Sequence, residues 1–376
     1  MRRPFLDSRR PGVPVSLIGM VALVIVIEGS LSSRDLEFIT PLRLDWGLAG
    51  KAASNQGTGC EVLCFGDSLV KHGVQPAILE AKTGQRVYNL AIQASTAATS
   101  YFQLRRAIEA GARPSSIVVD FKPNMLAGRP EFQLQGWQEL ASLRDALDLA
   151  WSARSVSLGV KVLLGRVLPS VRSRDEVRAA LVAALHGGPP PWASTNRTLL
   201  RQWTINRGAN LASKNPAFLG KVSAEAHKNL FSDYWKCHKI NARYLERFLD
   251  LAGSKGVRVY WLLPPISPEL QARRDQSGVD ARHTEFVRSV CIRHKDVVVI
   301  DGRHAGYDHT VFVDPAHLDG DGAVALSLDL ADLLARLDVG SGWVTLPGFR
   351  RRPAGIPLED VNQSQLAVES GDALRR

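Results

Sequence analysis

The sequence predicts an α/β protein in which a parallel sheet is covered on both faces by helices and carries a mostly helical insertion. Three observations lead there. Short apolar runs rich in β-branched residues alternate with longer helical patterns, the signature of a parallel sheet. Gly84, Gly111 and Gly256 stand where helices must stop before the next strand. A chain of 376 residues with 45% hydrophobic content can bury one large core.

Strands are expected at Glu61–Phe65, Arg86–Ala91, Ser116–Phe121, Val257–Leu263 and Val297–Ile300. Between and after them, helices are expected at Leu69–Thr83, Thr96–Ala110, Tyr234–Lys255, Asp280–His294 and Gly322–Leu337. Residues 59–130 and 232–340 therefore make the sheet domain. Residues 131–231 break the alternation with stretches such as "RDEVRAALVAALHGG" and read as a helical insertion over one sheet edge, a lid or partner surface. Trp151, Trp192, Trp203 and Trp235 are expected in the core of this region rather than on a carbohydrate platform. Residues 33–58 read as a polar linker and residues 341–376 as a weakly ordered tail.

The first 32 residues read as a cytoplasmic stub and signal anchor. "MRRPFLDSRRPG" holds four arginines, and Val13–Ile27 follows as an apolar run. By the positive-inside rule Arg2, Arg3, Arg9 and Arg10 stay in the cytoplasm, which puts the rest of the chain on the far side of the membrane. The alternative is a secreted protein after cleavage near Ser30 or Ser32, against which Glu28 counts. A buried N-terminal helix is the third reading.

The charge of +10 comes from 47 Lys and Arg against 37 Asp and Glu, scattered without a finger, basic zipper or aromatic-basic motif, so nucleic acid is not an expected partner. Cys60, Cys64, Cys237 and Cys291 lack zinc-site spacing, and neither metal nor cofactor is expected. A Rossmann dehydrogenase is excluded because no Gly-x-Gly-x-x-Gly follows the first strand.

In an open parallel sheet, ligands collect beyond the carboxyl ends of the strands. The first strand ends in "CFGDSLVKHG", where Ser68 is either a nucleophile or an ordinary helix cap. After the last expected strand comes "DPAH", Asp314 to His317. Residues three apart on a turn can face the same way, so Asp314 can orient one imidazole nitrogen while the other addresses a hydroxyl. His304, Asp308 and His309 show that polar residues are common in this loop, and His317 alone could merely cap the final helix. The serine and the His–Asp pair are required together, and both are present.

With these motifs the chain resembles the SGNH, or GDSL-type, hydrolase superfamily, over about residues 61–125 and 236–337. Gly66–Asp67–Ser68–Leu69 matches the first family block, Asn124 the third, and Asp314–Pro315–Ala316–His317 the last. In the second block the oxyanion-hole glycine maps most nearly to Ala94 in "NLAIQA", and Lys122 replaces the glycine two before Asn124. The resemblance implies a three-layer α/β/α flavodoxin-like sandwich. It also implies Ser68, His317 and Asp314 as catalytic residues, with Ser68, Ala94 and Asn124 forming the oxyanion hole. The expected activity is ester hydrolysis or O-acyl transfer outside the cytoplasm. An acylated polysaccharide is one substrate option, with a membrane-bound acyl-donor partner. A non-catalytic binding module of the same fold is the alternative, motivated by the two departures from glycine.

Overall fold

The structure, a computed structural model, describes residues 15–34, 36–223, 235–336 and 342–373. The uniformly apolar Val62–Phe65 becomes a fully buried strand, β1. It is joined by β2 (Val87–Asn89), β3 (Ser116–Val119), β4 (Arg258–Leu263), β5 (Val297–Asp301) and β6 (Gly342–Thr345). All neighbours are parallel, in the order β2-β1-β3-β4-β5-β6. This is the flavodoxin-like order extended by one strand, and its direction of winding reverses between β1 and β3.

Side chains alternate across the strands, so Leu63 and Phe65 enter one core while Val62 and Cys64 enter the other. The helices before the insertion are α1 (Val15–Ser32), α2 (Pro41–Ser54), α3 (Ser68–Gly73), α4 (Pro76–Thr83), α5 (Ala97–Glu109) and α6 (Pro123–Ala127). The insertion holds α7 (Leu134–Leu140), α8 (Leu143–Ala153), α9 (Val156–Val167), α10 (Pro169–Arg172), α11 (Arg174–Leu185) and α12 (Ala193–Ile205). After it come α13 (Lys239–Ser254), α14 (Pro268–Gln276), α15 (Val279–Arg293), α16 (Gly320–Leu334) and α17 (Val361–Ala373). An aromatic core with Trp46, Trp137, Tyr244 and Trp261 joins α2, α5, α7 and α13 to one sheet face. An aliphatic core with Leu262, Ile300, Leu326 and Leu330 seats α16, packed against α4, on the other.

Four expectations are corrected. The helix expected at Leu69–Thr83 divides into α3 and α4, because Gln75 precedes Pro76 and is pushed to extended geometry. The expected linker contains α2, capped by the Thr40 hydroxyl and started by Pro41. Its charges look like a surface in the sequence, yet Arg43 is fully buried and paired with Glu139 at 2.6 Å and Glu176 at 3.1 Å. The expected tail supplies β6, paired with β5, and α17, which packs on α12 through the buried Gln202 amide donating to Ser364 Oγ at 2.6 Å. Trp203 and Trp235 are buried as expected, whereas Trp151 is 80% exposed and Trp192 is at the surface.

From Val15 onward the apolar run of the N-terminus lies in α1, while Val13, Pro14 and the basic flank fall outside the described residues. Among the described residues no helix is long and apolar enough to cross a membrane. The four cysteines are free thiols.

Candidate active site

β1 delivers its last residue to a turn that only glycine fits. Gly66 has φ +121°, and a Cβ there would stand 1.8 Å from Asp120 Oδ1. That same Asp120 oxygen accepts the Asp67 N–H at 2.8 Å, tying the turn to the end of β3. Asp67 then caps α3 by accepting the Leu69 N–H at 2.8 Å, which leaves Ser68 as the first residue of the helix. Burial, and after it the negative charge of Asp67, push the Asp120 carboxyl well above the usual carboxylate range. Lys122, 3.7 Å from Asp67, opposes this.

Across the rim, the segment after β5 folds back on itself through a bridge between Phe312 and Leu318 and a 2.9 Å bond from the Val313 N–H to the His317 carbonyl. Asp314 Oδ1 accepts the N–H groups of Ala316 (2.8 Å) and His317 (2.9 Å), so the turn fixes its carboxylate before the imidazole is reached. Asp314 Oδ2 lies 2.7 Å from His317 Nδ1, and His317 Nε2 lies 2.7 Å from Ser68 Oγ. The tautomer that satisfies both bonds carries its proton on Nδ1 and presents Nε2 to the serine hydroxyl. Burial would raise the Asp314 pKa. The hydrogen bond and charge of His317, with the two backbone N–H groups, outweigh it and hold the carboxyl down at about 2. His304 and His309 remain exposed, and Asp308 is used in capping Thr310 at 2.7 Å.

Ala94 follows β2 in a turn closed by the Ser95 N–H donating to the Ile92 carbonyl at 3.2 Å, and its φ of +56° is one that a glycine would take more easily. The turn is held from several sides. Ile92 N–H donates to the Gly66 carbonyl at 3.0 Å, Gln93 N–H to Asp45 Oδ2 at 3.0 Å, and Trp46 Nε1 to the Gln93 carbonyl at 3.1 Å. Gln133 donates to the Ala94 carbonyl. Asn124 occupies the first turn of α6, beyond β3, with Oδ1 accepting the Met125 N–H at 3.1 Å and Nδ2 without a partner among the described residues. It lines a small cavity with Lys122, Ile266 and Arg274.

Several supporting residues carry no motif. Asp45 and Lys71 form a fully buried ion pair at 2.6 Å behind the Ala94 turn, and burial lowers the lysine's pKa against the pull of Asp45. His72 sets its ring edge-on to His317, with centroids 5.3 Å apart and its Nδ1 sealed from solvent without a partner among the described residues. Burial first, then the neighbouring His317 and Lys71, press the His72 pKa down to about 3. No motif marks these residues: a charge on an amphipathic helix such as α2 looks the same whether it faces water or a buried partner, and nothing local marks Lys71 as buried or His72 as half-buried.

No family model matches this sequence, and comparison with curated proteins gives no significant match.

Proposed function

We propose that the protein is a serine-dependent ester hydrolase or O-acyltransferase of the SGNH type. The observation that carries this reading is the hydrogen-bond chain from Ser68 through His317 to Asp314. In this reaction Ser68 Oγ attacks an acyl carbonyl while His317 Nε2 takes its proton, and Asp314 stabilises the imidazolium. The tetrahedral oxyanion is received by the N–H groups of Ser68 and Ala94 and by Asn124 Nδ2. Collapse expels the alcohol, which takes the proton from His317 and leaves an acyl group on Ser68. Water, or a sugar hydroxyl, then gives its proton to His317 and attacks that acyl group, freeing the serine.

Two small cavities lie near the rim, one lined by Leu69, Asp120 and Lys122 and the other by Asn124 and Ile266, with volumes of about 10 and 20 Å3, and neither is lined by Ser68, Asp314 or His317. The roomier cleft of about 560 Å3, beside Leu44, Arg106 and Glu139, contains no member of the Ser–His–Asp set. We place the enzyme outside the cytoplasm on a membrane anchor, on the strength of the apolar run Val13–Ile27 and the arginines before it. For the transferase reaction, a cell-envelope polysaccharide is the acceptor and a membrane-bound partner supplies the acyl group. The second reading, a binding module without turnover, draws on Ala94 and Lys122 standing where the family has glycine.

Incubating the full chain in detergent with an acetyl-ester panel, with and without oligosaccharide acceptors, separates these readings by product mass. Free acid means hydrolysis and acylated oligosaccharide means transfer. Neither product, from folded protein, would support the binding module.

A further inference from the structure

The helical insertion turns apolar residues toward solvent where a water-facing helix carries polar ones. On α9, Val156, Val160, Leu164 and Val167 recur at spacings of four, four and three, which puts them on one face, and all four are exposed. On α8, Leu143, Leu147 and Trp151 do the same. The two stripes meet in an apolar groove of about 630 Å3, whose walls include Leu147, Trp151, Val156 and Val160. On α11, Leu181 and Leu185 follow Arg174 and Arg178 along one face, and Leu185 is 85% exposed. An apolar surface of this extent signals a binding face.

Charge identifies what it binds. Among residues 143–186 the exposed cations are Arg144, Arg154, Lys161, Arg166, Arg174 and Arg178, whereas Asp175 is the one exposed acid; Asp145, Asp148 and Glu176 are drawn inward into ion pairs. Arg144 pairs with Glu109 at 2.8 Å, and the other five cations leave the apolar faces with a net basic rim, which matches an anionic lipid surface, with acyl chains beneath and phosphates around. Position agrees with charge. α10 joins α9 to α11 and receives the apolar helix α1, where the Glu28 carboxylate accepts the Ser170 N–H at 2.9 Å. Along α1, residues from Leu17 to Ile27 present a second exposed apolar surface beside the first.

We infer that the α8–α9–α11 face of the insertion docks on an anionic lipid bilayer, with lipid acyl chains seated in the α8–α9 groove. This holds whichever chemistry Ser68 performs. Docking sets the insertion against the membrane and gives the exposed Trp151 an apolar partner.

The test uses the full chain in phosphatidylcholine vesicles with and without phosphatidylglycerol, with brominated acyl chains as quencher. Subtracting the emission of the Trp151→Phe protein isolates Trp151, and flotation of both proteins with the vesicles measures attachment, so attachment and docking are read separately. In vesicles containing phosphatidylglycerol, Trp151 emission should shift to the blue and lose most of its intensity to the brominated chains. Lys161→Ala and Arg178→Ala should each lower the ratio of docked to undocked protein about fivefold. A Trp151 signal that stays water-like and unquenched on bound protein overturns the inference and points to a protein covering this face instead. Equal quenching with and without phosphatidylglycerol overturns the anionic requirement.

Discussion

Replacing His72 by Phe should change how stability responds to acid. His72 has a folded-state pKa of about 3, against about 6.5 for an unperturbed imidazole. Because the folded value is the lower one, unfolding takes up a proton below pH 6.5, and wild-type stability falls as pH drops from there until it levels off near pH 3. One proton corresponds to a limiting slope of about 1.4 kcal/mol per pH unit, or about 2–3 kcal/mol between pH 7.5 and pH 4.5. A phenylalanine keeps an aromatic edge toward His317 and removes the titration. Urea unfolding of both proteins at pH 7.5, 6.5, 5.5 and 4.5, a range chosen about the imidazole value, should show the variant gaining on wild type by that amount. The fully buried His283, whose pKa burial also lowers, keeps its own slope in both proteins. Parallel stability curves would refute the reasoning, because His72 would then titrate alike in folded and unfolded chains.

Two further predictions concern the rim. Asp45→Ala leaves Lys71 buried without its partner and the Gln93 N–H without its acceptor, so chemical denaturation should show a loss of about 3–5 kcal/mol. The double variant Asp45→Asn with Lys71→Met, which leaves no unpaired charge, should recover much of that loss. Asn124→Ala should lower turnover by about a hundredfold or more with little change in KM, as for one lost oxyanion donor. Steady-state kinetics and a melting curve on the same sample decide this. Near-normal turnover with lowered stability would make Asn124 a turn residue.

The five expected strands lie within two residues of those observed, because each is a short buried apolar run between breakers. β6 escaped for the opposite reason: "GWVT" is a half-exposed edge strand opening on glycine, with no apolar run to mark it. Ser68, Asp314 and His317 stand out in sequence because each lies in a short local motif, and the fold closes the 249-residue gap between Ser68 and His317. The Asp45–Lys71 pair shows no such signal. A charge on an amphipathic helix looks the same whether it faces water or a buried partner, and only the packing of α2 against the Ala94 turn distinguishes them. Ala94 is partly legible, since a residue mapped to a glycine position adopts positive φ, but the bonds that hold its turn come from Asp45, Trp46, Gly66 and Gln133, all remote in sequence. The outward apolar face of α8 and α9 inverted the reading of Trp151, because periodicity locates an apolar stripe without saying which way it faces.

The central claim is that Ser68 is a nucleophile activated by His317. Intact-mass analysis after treatment with a fluorophosphonate tests it most directly, since the reagent requires an activated serine but no knowledge of the substrate. The account predicts one adduct on the wild-type protein, located at Ser68, none on Ser68→Ala, and strongly slowed labelling of a still-folded His317→Ala. An unlabelled wild-type protein with an intact melting transition, or an adduct that persists in Ser68→Ala, would contradict it.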